Sequence, residues 1–451
     1  MSAPLIAGLC GGLALAFSAY VISPLFLPAL AVGGVFAVAA ARWPVVGLAG
    51  AVLALPMEAL RFTLPTGHLT PAEGAFALVG LLYVGRAMLR PATVVRPSVR
   101  DAPIIVLLAV LVAGLAVAED PAPIVRVSLL WPLFYCNYLQ IQSLSDRELR
   151  FVILAFAVGV GALGGIGAVD YLQAGNAQLF NGGLSTTARA TGTFTDPNYF
   201  ASTVALGLVP GIAIVLGDLR RTWWLVPFLI AGLLGLGFSL SRGGISALAL
   251  GFVVLMVWSR ARWVALAIAV ALAGFVLTTG DSLGSSSPLG TVEQRLSTLT
   301  NPAALTEANL RPRIWRLAIT VAAEHPIVGI GFRQFSIVAT ERGLFEGVHP
   351  AGVENVHNTP LNFAAENGIV GAAAFLWFVF QLLLRGVRGL ATNDPVRFPL
   401  ALGLFGTLMG FLLQSLTQAQ LRVNIIMALF LLVAGAITTL ADRARAARRS
   451  G

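Results

Sequence analysis

Glu354-Asn355-Val356-His357-Asn358-Thr359-Pro360 runs directly into Leu361-Asn-Phe-Ala-Ala-Glu-Asn-Gly-Ile-Val-Gly-Ala-Ala-Ala-Phe-Leu-Trp-Phe-Val-Phe-Gln-Leu-Leu-Leu384, a polar segment followed by an apolar one. A hydrocarbon core about 30 Å thick is crossed by about 20 helical residues, so the second segment is long enough to span it. Lipid offers peptide groups no hydrogen-bond partners, and an apolar span of this kind satisfies its own backbone by coiling into an α-helix. The polar segment is the end of an interruption running from Gly280 to Thr359, within a chain that is otherwise a succession of apolar stretches. Such an excursion must lie at one membrane face. It carries three of the four histidines, His325, His349 and His357.

The composition agrees. Of 451 residues 57% are hydrophobic and 11% charged, with a mean hydropathy of +0.85, which excludes a soluble domain with a polar surface. Spans are expected near 4–20, 24–41, 44–60, 72–89, 102–118, 123–142, 150–170, 197–217, 222–240, 243–259, 262–279, 360–384, 397–414 and 421–441. The first two read as spans and not as a cleaved signal, because no basic stretch precedes them. The expected fold is therefore an all-α polytopic transmembrane bundle of about 12–14 helices, with one long loop at one membrane face containing short interfacial helices.

The basic residues are all arginine. Alternate span ends collect Arg42, Arg86 to Arg100, Arg147 and Arg150, Arg220 and Arg221, Arg260 and Arg262, Arg385 to Arg397, and the tail from Arg443. The positive-inside rule makes that side cytoplasmic, with both termini on it and the loops 171–196 and 280–359 outside. The chain divides accordingly into N-terminal helices (1–170), a core with its outer loop (171–279), the long loop (280–359), and C-terminal helices with a basic tail (360–451). A net charge of +9 fits partners such as anionic membrane lipids and phosphates, and no nucleic-acid module is present. Cys10 and Cys136 both fall in apolar spans, so the loop has no disulfide. The arginines outside this scheme, among them Arg126, Arg189, Arg242, Arg311, Arg313, Arg316, Arg333 and Arg422, need another reason to exist.

Within the loop, Pro312 to Ala323 spaces Ile314, Leu317, Ala318, Val321 and Ala322 as a helix face, with Trp315 beside them. Arg313 and Arg316 share a face, and Arg311 precedes the proline. For Arg311 and Arg316, interfacial anchoring and ligand binding are both open. Three spans begin at the outer face with legible starts: Asp196-Pro197-Asn198, Ser241-Arg242-Gly243-Gly244 and Thr359-Pro360. Each helix N-terminus favours an anion by about 0.3–1 kcal/mol, so Arg189 and Arg242 would have to supply most of the binding of a diphosphate. His357 stands at the third start with Asn355 and Asn358 beside it, while Asn362 and Glu366 share a helix face after it. Near arginines its pKa should fall, leaving an imidazole able to accept a proton. A capping role is the plainer alternative for it. No Asp-x-Asp and no His/carboxylate cluster at ligand spacing is present, so neither a metal nor a cofactor is expected.

The ordered set Arg189-Ala-Thr-Gly-Thr-Phe-Thr-Asp-Pro-Asn198, Ser239-Leu-Ser-Arg242-Gly-Gly, Arg313-Ile-Trp315 with Pro326-Ile-Val-Gly-Ile-Gly331, and His357-Asn358-Thr-Pro-Leu-Asn-Phe-Ala-Ala-Glu366-Asn-Gly368 resembles the bacterial O-antigen ligase and polymerase superfamily. The resemblance covers about residues 185–385. It implies a metal-independent, inverting glycosyltransferase of the inner membrane with its active site facing the periplasm. The donor would be a glycan on undecaprenyl diphosphate. The acceptor would be a lipid A core sugar in a ligase, or another lipid-linked glycan in a surface-polysaccharide polymerase. Carried over, Arg189 and Arg242 would hold the diphosphate and His357 would activate the acceptor hydroxyl, with Arg311, Arg313, Arg316, Asn198, Asn358 and Glu366 as further substrate contacts. From another class, a lipid or solute transporter would place its ionisable groups near the bilayer midplane, not at outer helix ends.

Overall fold

Apolar stretches of this length, denied water, satisfy their peptide groups internally, and a computed structural model has them as helices over the residues it describes: 26–64, 67–173, 189–256, 262–263, 266, 311–344, 355–392 and 394–450. In chain order these are α1 (Phe26–Arg42), α2 (Pro44–Leu53), a small hairpin of β1 (Phe62–Leu64) and β2 (Gly67–Leu69), α3 (Pro71–Leu89), α4 (Ala102–Ala113), α5 (Ala122–Ile141) and α6 (Asp146–Gln173). There follow α7 (Pro197–Gly217), α8 (Val226–Phe238), α9 (Arg242–Met256), α10 (Arg311–Glu324), α11 (Phe335–Glu341), α12 (Thr359–Gly389), α13 (Arg397–Ser415) and α14 (Asn424–Ser450).

Among the described residues, eight helical stretches are long and apolar enough to cross a membrane, and three shorter apolar helices accompany them. The protein is a multi-pass, all-α membrane bundle. The α5 helix has 20 residues but is not one of the eight, since Arg126, Asn137 and Gln140 dilute its hydropathy. The α2 helix stops at Leu53, short of the expected 60, where Leu55-Pro56-Met57 tightens into a 3-10 turn. The expected spans 4–20 and 262–279 lie outside the described residues almost entirely, as do 280–310, 345–354 and most of the loop before Arg189.

Burial ranks the helices. The apolar window of α14 is 100% buried and that of α7 89%, against 33% for α3, so α14 and α7 form the centre and α3 lies at the rim. The α6 helix packs against α8, where small residues let the backbones close up: a Cβ on Gly235 would sit 2.2 Å from the Gly164 carbonyl oxygen.

One end of the bundle gathers the arginines that the charge alternation groups together. Arg397 reaches Asp146 at 2.7 Å, Arg443 joins the same carboxylate, Arg150 meets Asp218 at 3.3 Å, and Arg100 meets Asp442 at 3.1 Å. At the opposite end lie the starts of α7, α9 and α12. There a second apolar cluster of Ile314, Ala318, Val321, Phe335 and Ala339 seats α10 and α11 on the head of α12.

The α12 helix is two helices meeting at Gly368, whose φ of 65° is non-helical. The segment 326–331 crosses this kink, with Ile369 N–H donating to the Pro326 carbonyl and Gly331 N–H to that of Glu366. A Cβ on Gly368 would lie 2.2 Å from the Ile327 carbonyl oxygen, so glycine serves both the turn and the close approach.

Candidate functional site

The first helix start is built as its sequence suggests. Asp196 caps α7, accepting from Asn198 N–H at 2.6 Å and Tyr199 N–H at 3.3 Å, with Pro197 opening the helix. Arg189 bends back over it: Nε donates to the Ser239 carbonyl at 2.8 Å and Nη2 to Asn198 Oδ1 at 3.3 Å. Ser241 Oγ donates to the same Asn198 oxygen at 3.0 Å. One amide thus joins the start of α7 to the approach to α9.

At that second start, Ser241 Oγ also accepts from Gly244 N–H at 3.3 Å, the expected cap. Close packing follows: a Cβ on Gly244 would lie 2.6 Å from Ala201 Cβ. Arg242 is exposed, and among the described residues it makes no ion pair; Asp196 serves as a cap and Glu366 pairs elsewhere. Burial, with Arg242 nearby, holds the Arg311 guanidinium below its usual range, so these two cations share one locality.

The third start differs in detail from the expectation. Asn358, not Thr359, caps α12 by accepting from Leu361 N–H at 2.9 Å, and Thr359 instead donates to the Gln418 carbonyl at 2.8 Å. An amide side chain one residue earlier reaches the first-turn N–H groups, which frees the threonine to clamp the α13–α14 connection. His357 Nδ1 lies 2.9 Å from Gln418 Oε1. With that oxygen accepting, the ring proton sits on Nδ1 and Nε2 is the basic nitrogen. Asn355 accepts from His357 N–H at 2.7 Å and donates to the Tyr199 hydroxyl at 3.0 Å, tying the histidine turn to α7. Trp315, the expected interfacial anchor, donates to the Val356 carbonyl at 3.0 Å, fastening α10 to the same turn.

Below the histidine is a buried charge cluster. Glu366 is fully buried and accepts from Arg422 at 3.4 Å, from Asn362 at 2.9 Å and from Phe335 N–H at 3.3 Å. Arg333 donates to the Arg422 carbonyl at 2.6 Å, and burial, then Arg422 and Arg126, press its guanidinium down to about 10. Arg126 pairs with Glu73 at 2.7 Å. Two arginines left unassigned by the charge alternation, Arg126 and Arg422, are therefore halves of ion pairs, the first half-buried and the second buried.

The sequence-expected residues divide in two. Arg189, Asn198, Arg242, Arg311, His357 and Asn358 gather around the three helix starts. Glu366 belongs to the buried cluster beneath them, and Arg313 and Arg316 are exposed on α10, whose buried face is Ile314, Ala318 and Val321. Sequence reasoning missed Gln418 and Tyr199, and it singled out Arg333 without giving it a place. The polar run Thr417-Gln-Ala-Gln420-Leu-Arg422 between two apolar spans was the available signal for the first. Among the described residues, the non-glycine positions with positive φ are Leu240 (51°), Arg333 (65°) and His357 (53°), each within or next to this arrangement. Such strain persists where surrounding contacts hold it, and it collects at functional sites. No group of three or more His, Cys, Asp or Glu side chains comes together at metal-ligand range among the described residues.

Residues 225–376 match the family model described as O-antigen ligase, in keeping with the O-antigen ligase and polymerase superfamily. The matched segment contains Arg242, α10, His357 and Glu366; Arg189 and Gln418 lie outside it. A search of curated proteins found no match.

Proposed function

We propose that this chain transfers a glycan from undecaprenyl diphosphate to a sugar hydroxyl of a lipid A core at the outer face of the inner membrane, with no metal. The acceptor oxygen attacks the anomeric carbon while the bond from that carbon to the diphosphate breaks, so configuration inverts and undecaprenyl diphosphate leaves. The hydroxyl proton passes to His357 Nε2. Arg189 and Arg242, with Arg311 beside them, receive the diphosphate at the starts of α7 and α9, where forked guanidiniums and helix N–H groups suit its charge. Gln418 orients His357 and fixes its tautomer. The observation that carries the reading is that an oriented imidazole, Arg189 and three helix starts are bound into one hydrogen-bonded end of a membrane bundle, with Arg242 at the second start. The match to the O-antigen ligase family supports the reaction class.

The test uses purified protein, a lipid-diphosphate glycan, and either a lipid A core or a second lipid-linked glycan as acceptor. His357→Ala should abolish transfer while the donor still binds, and transfer should survive chelation. Retention of most turnover by the Ala variant would remove the base assignment. Elongation of the lipid-linked glycan in place of core modification would assign the chain to the polymerases.

A further inference from the structure

At the arginine-rich end, far from the helix starts just described, an open cleft of about 470 Å³ adjoins a second of about 210 Å³. Arg100, before α4, and Arg445, on α14, line both. Arg449 completes the larger; Arg385 and Arg388, near the end of α12, complete the smaller. The one carboxylate in the lining is Asp442, already engaged by Arg100 at 3.1 Å. Arg388 and Arg449 sit in the last turns of their helices, where the helix dipole gives cations a reason to be. Arg385 has no such reason. Its side chain is buried, with only 7% of the residue exposed, and the oxygens that accept from it are neutral: Tyr138 Oη at 3.0 Å, Thr438 Oγ1 at 3.1 Å and Gln381 Oε1 at 2.8 Å. A buried guanidinium compensated only by neutral acceptors is costly, and an anion in the cleft above it would remove that cost.

We propose that this cleft is a phosphate-binding site that takes the headgroup phosphate of an anionic membrane lipid. Forked guanidiniums match phosphate oxygens, and a basic pocket between transmembrane helices at the positive end of a bundle is where anionic headgroups lie. Leu384 lines the smaller cleft and is itself exposed on the outside of α12, which offers an acyl chain a path out of the site. A soluble phosphate compound shares the chemistry but has no use for that apolar exit.

The test is native mass spectrometry and thermal unfolding of the full chain in uncharged detergent, titrated with phosphatidylglycerol, phosphatidylcholine or inorganic diphosphate. One phosphatidylglycerol should be retained and should raise the unfolding midpoint, phosphatidylcholine should do neither, and Arg388→Gln/Arg445→Gln should weaken retention at least about tenfold, since each variant removes a charged donor to the phosphate. Diphosphate that displaces the lipid and stabilises equally well would assign the site to a soluble source and overturn the lipid. Equal retention by wild type and double variant would overturn the site itself. If the double variant does not fold, Asp442→Asn gives the opposite sign, tighter retention, and weaker retention there counts against the proposal.

Discussion

Replacing Glu366 by Gln keeps the side chain's size but removes the carboxylate that pairs with Arg422, at a position with no solvent exposure. Arg422, itself buried, then loses this counter-charge while Arg333 stays beside it, and Arg422 and Arg126 are the cations that depress the Arg333 guanidinium. Breaking a buried pair from one side costs about 3–5 kcal/mol, and the neighbouring positive charge argues for the upper part of that range. Arg422→Gln should cost a similar amount, because it leaves Glu366 charged with, among the described residues, Asn362 and the Phe335 N–H as donors. The double variant carries neither charge and should recover much of the loss, giving a coupling of about 2–4 kcal/mol in a double-mutant cycle. Unfolding in mixed micelles with a denaturing detergent, followed for all four proteins, measures it. Additivity to within about 0.5 kcal/mol, or a Glu366→Gln loss below about 1 kcal/mol, would refute the view that the two residues form a coupled buried ion pair.

Arg189→Lys should lower transfer about 10- to 100-fold at normal expression, since one ammonium cannot hold both the Ser239 carbonyl and Asn198 while meeting a diphosphate; transfer kinetics decide it. Gln418→Glu places a carboxylate against His357 Nδ1 and stabilises the imidazolium, so the acid limb of the pH–rate profile should move up by about one to two pH units with donor affinity unchanged; an unmoved profile would remove Gln418 from the mechanism. Glu58 is raised from 4.5 to about 8, chiefly by burial and then by the Glu73 carboxylate. The folded protein then holds a proton that the unfolded chain has lost between about pH 4.5 and 8, so stability should fall as pH rises through that window, by up to about 1.4 kcal/mol per pH unit, and level off above it. Glu58→Gln should flatten this slope of unfolding stability against pH, and a slope equal to wild type would sink the assignment.

Legible in the sequence were the membrane bundle, the places of most described helices and, save for the capping residue of the third, the helix starts. These depend on local rules: apolar length against bilayer thickness, a capping side chain followed by proline or glycine, and the clustering of arginine at alternate ends. Asp196 and Ser241 cap their helices as read, and α10 buries the face its spacing assigns. Packing alone brings together the ionisable groups that pair with one another. Glu366 reads in sequence like a site residue because it follows His357 on a helix. Its partner Arg422 is 56 residues away, and no local spacing reports a buried ion pair. The contacts of Gln418, Tyr199 and Arg333 were hidden for the same reason, since each meets a segment distant in the chain. Helix starts follow from a few consecutive residues, whereas the polar network that joins them exists only once α7, α9, α12 and the α13–α14 connection are packed together.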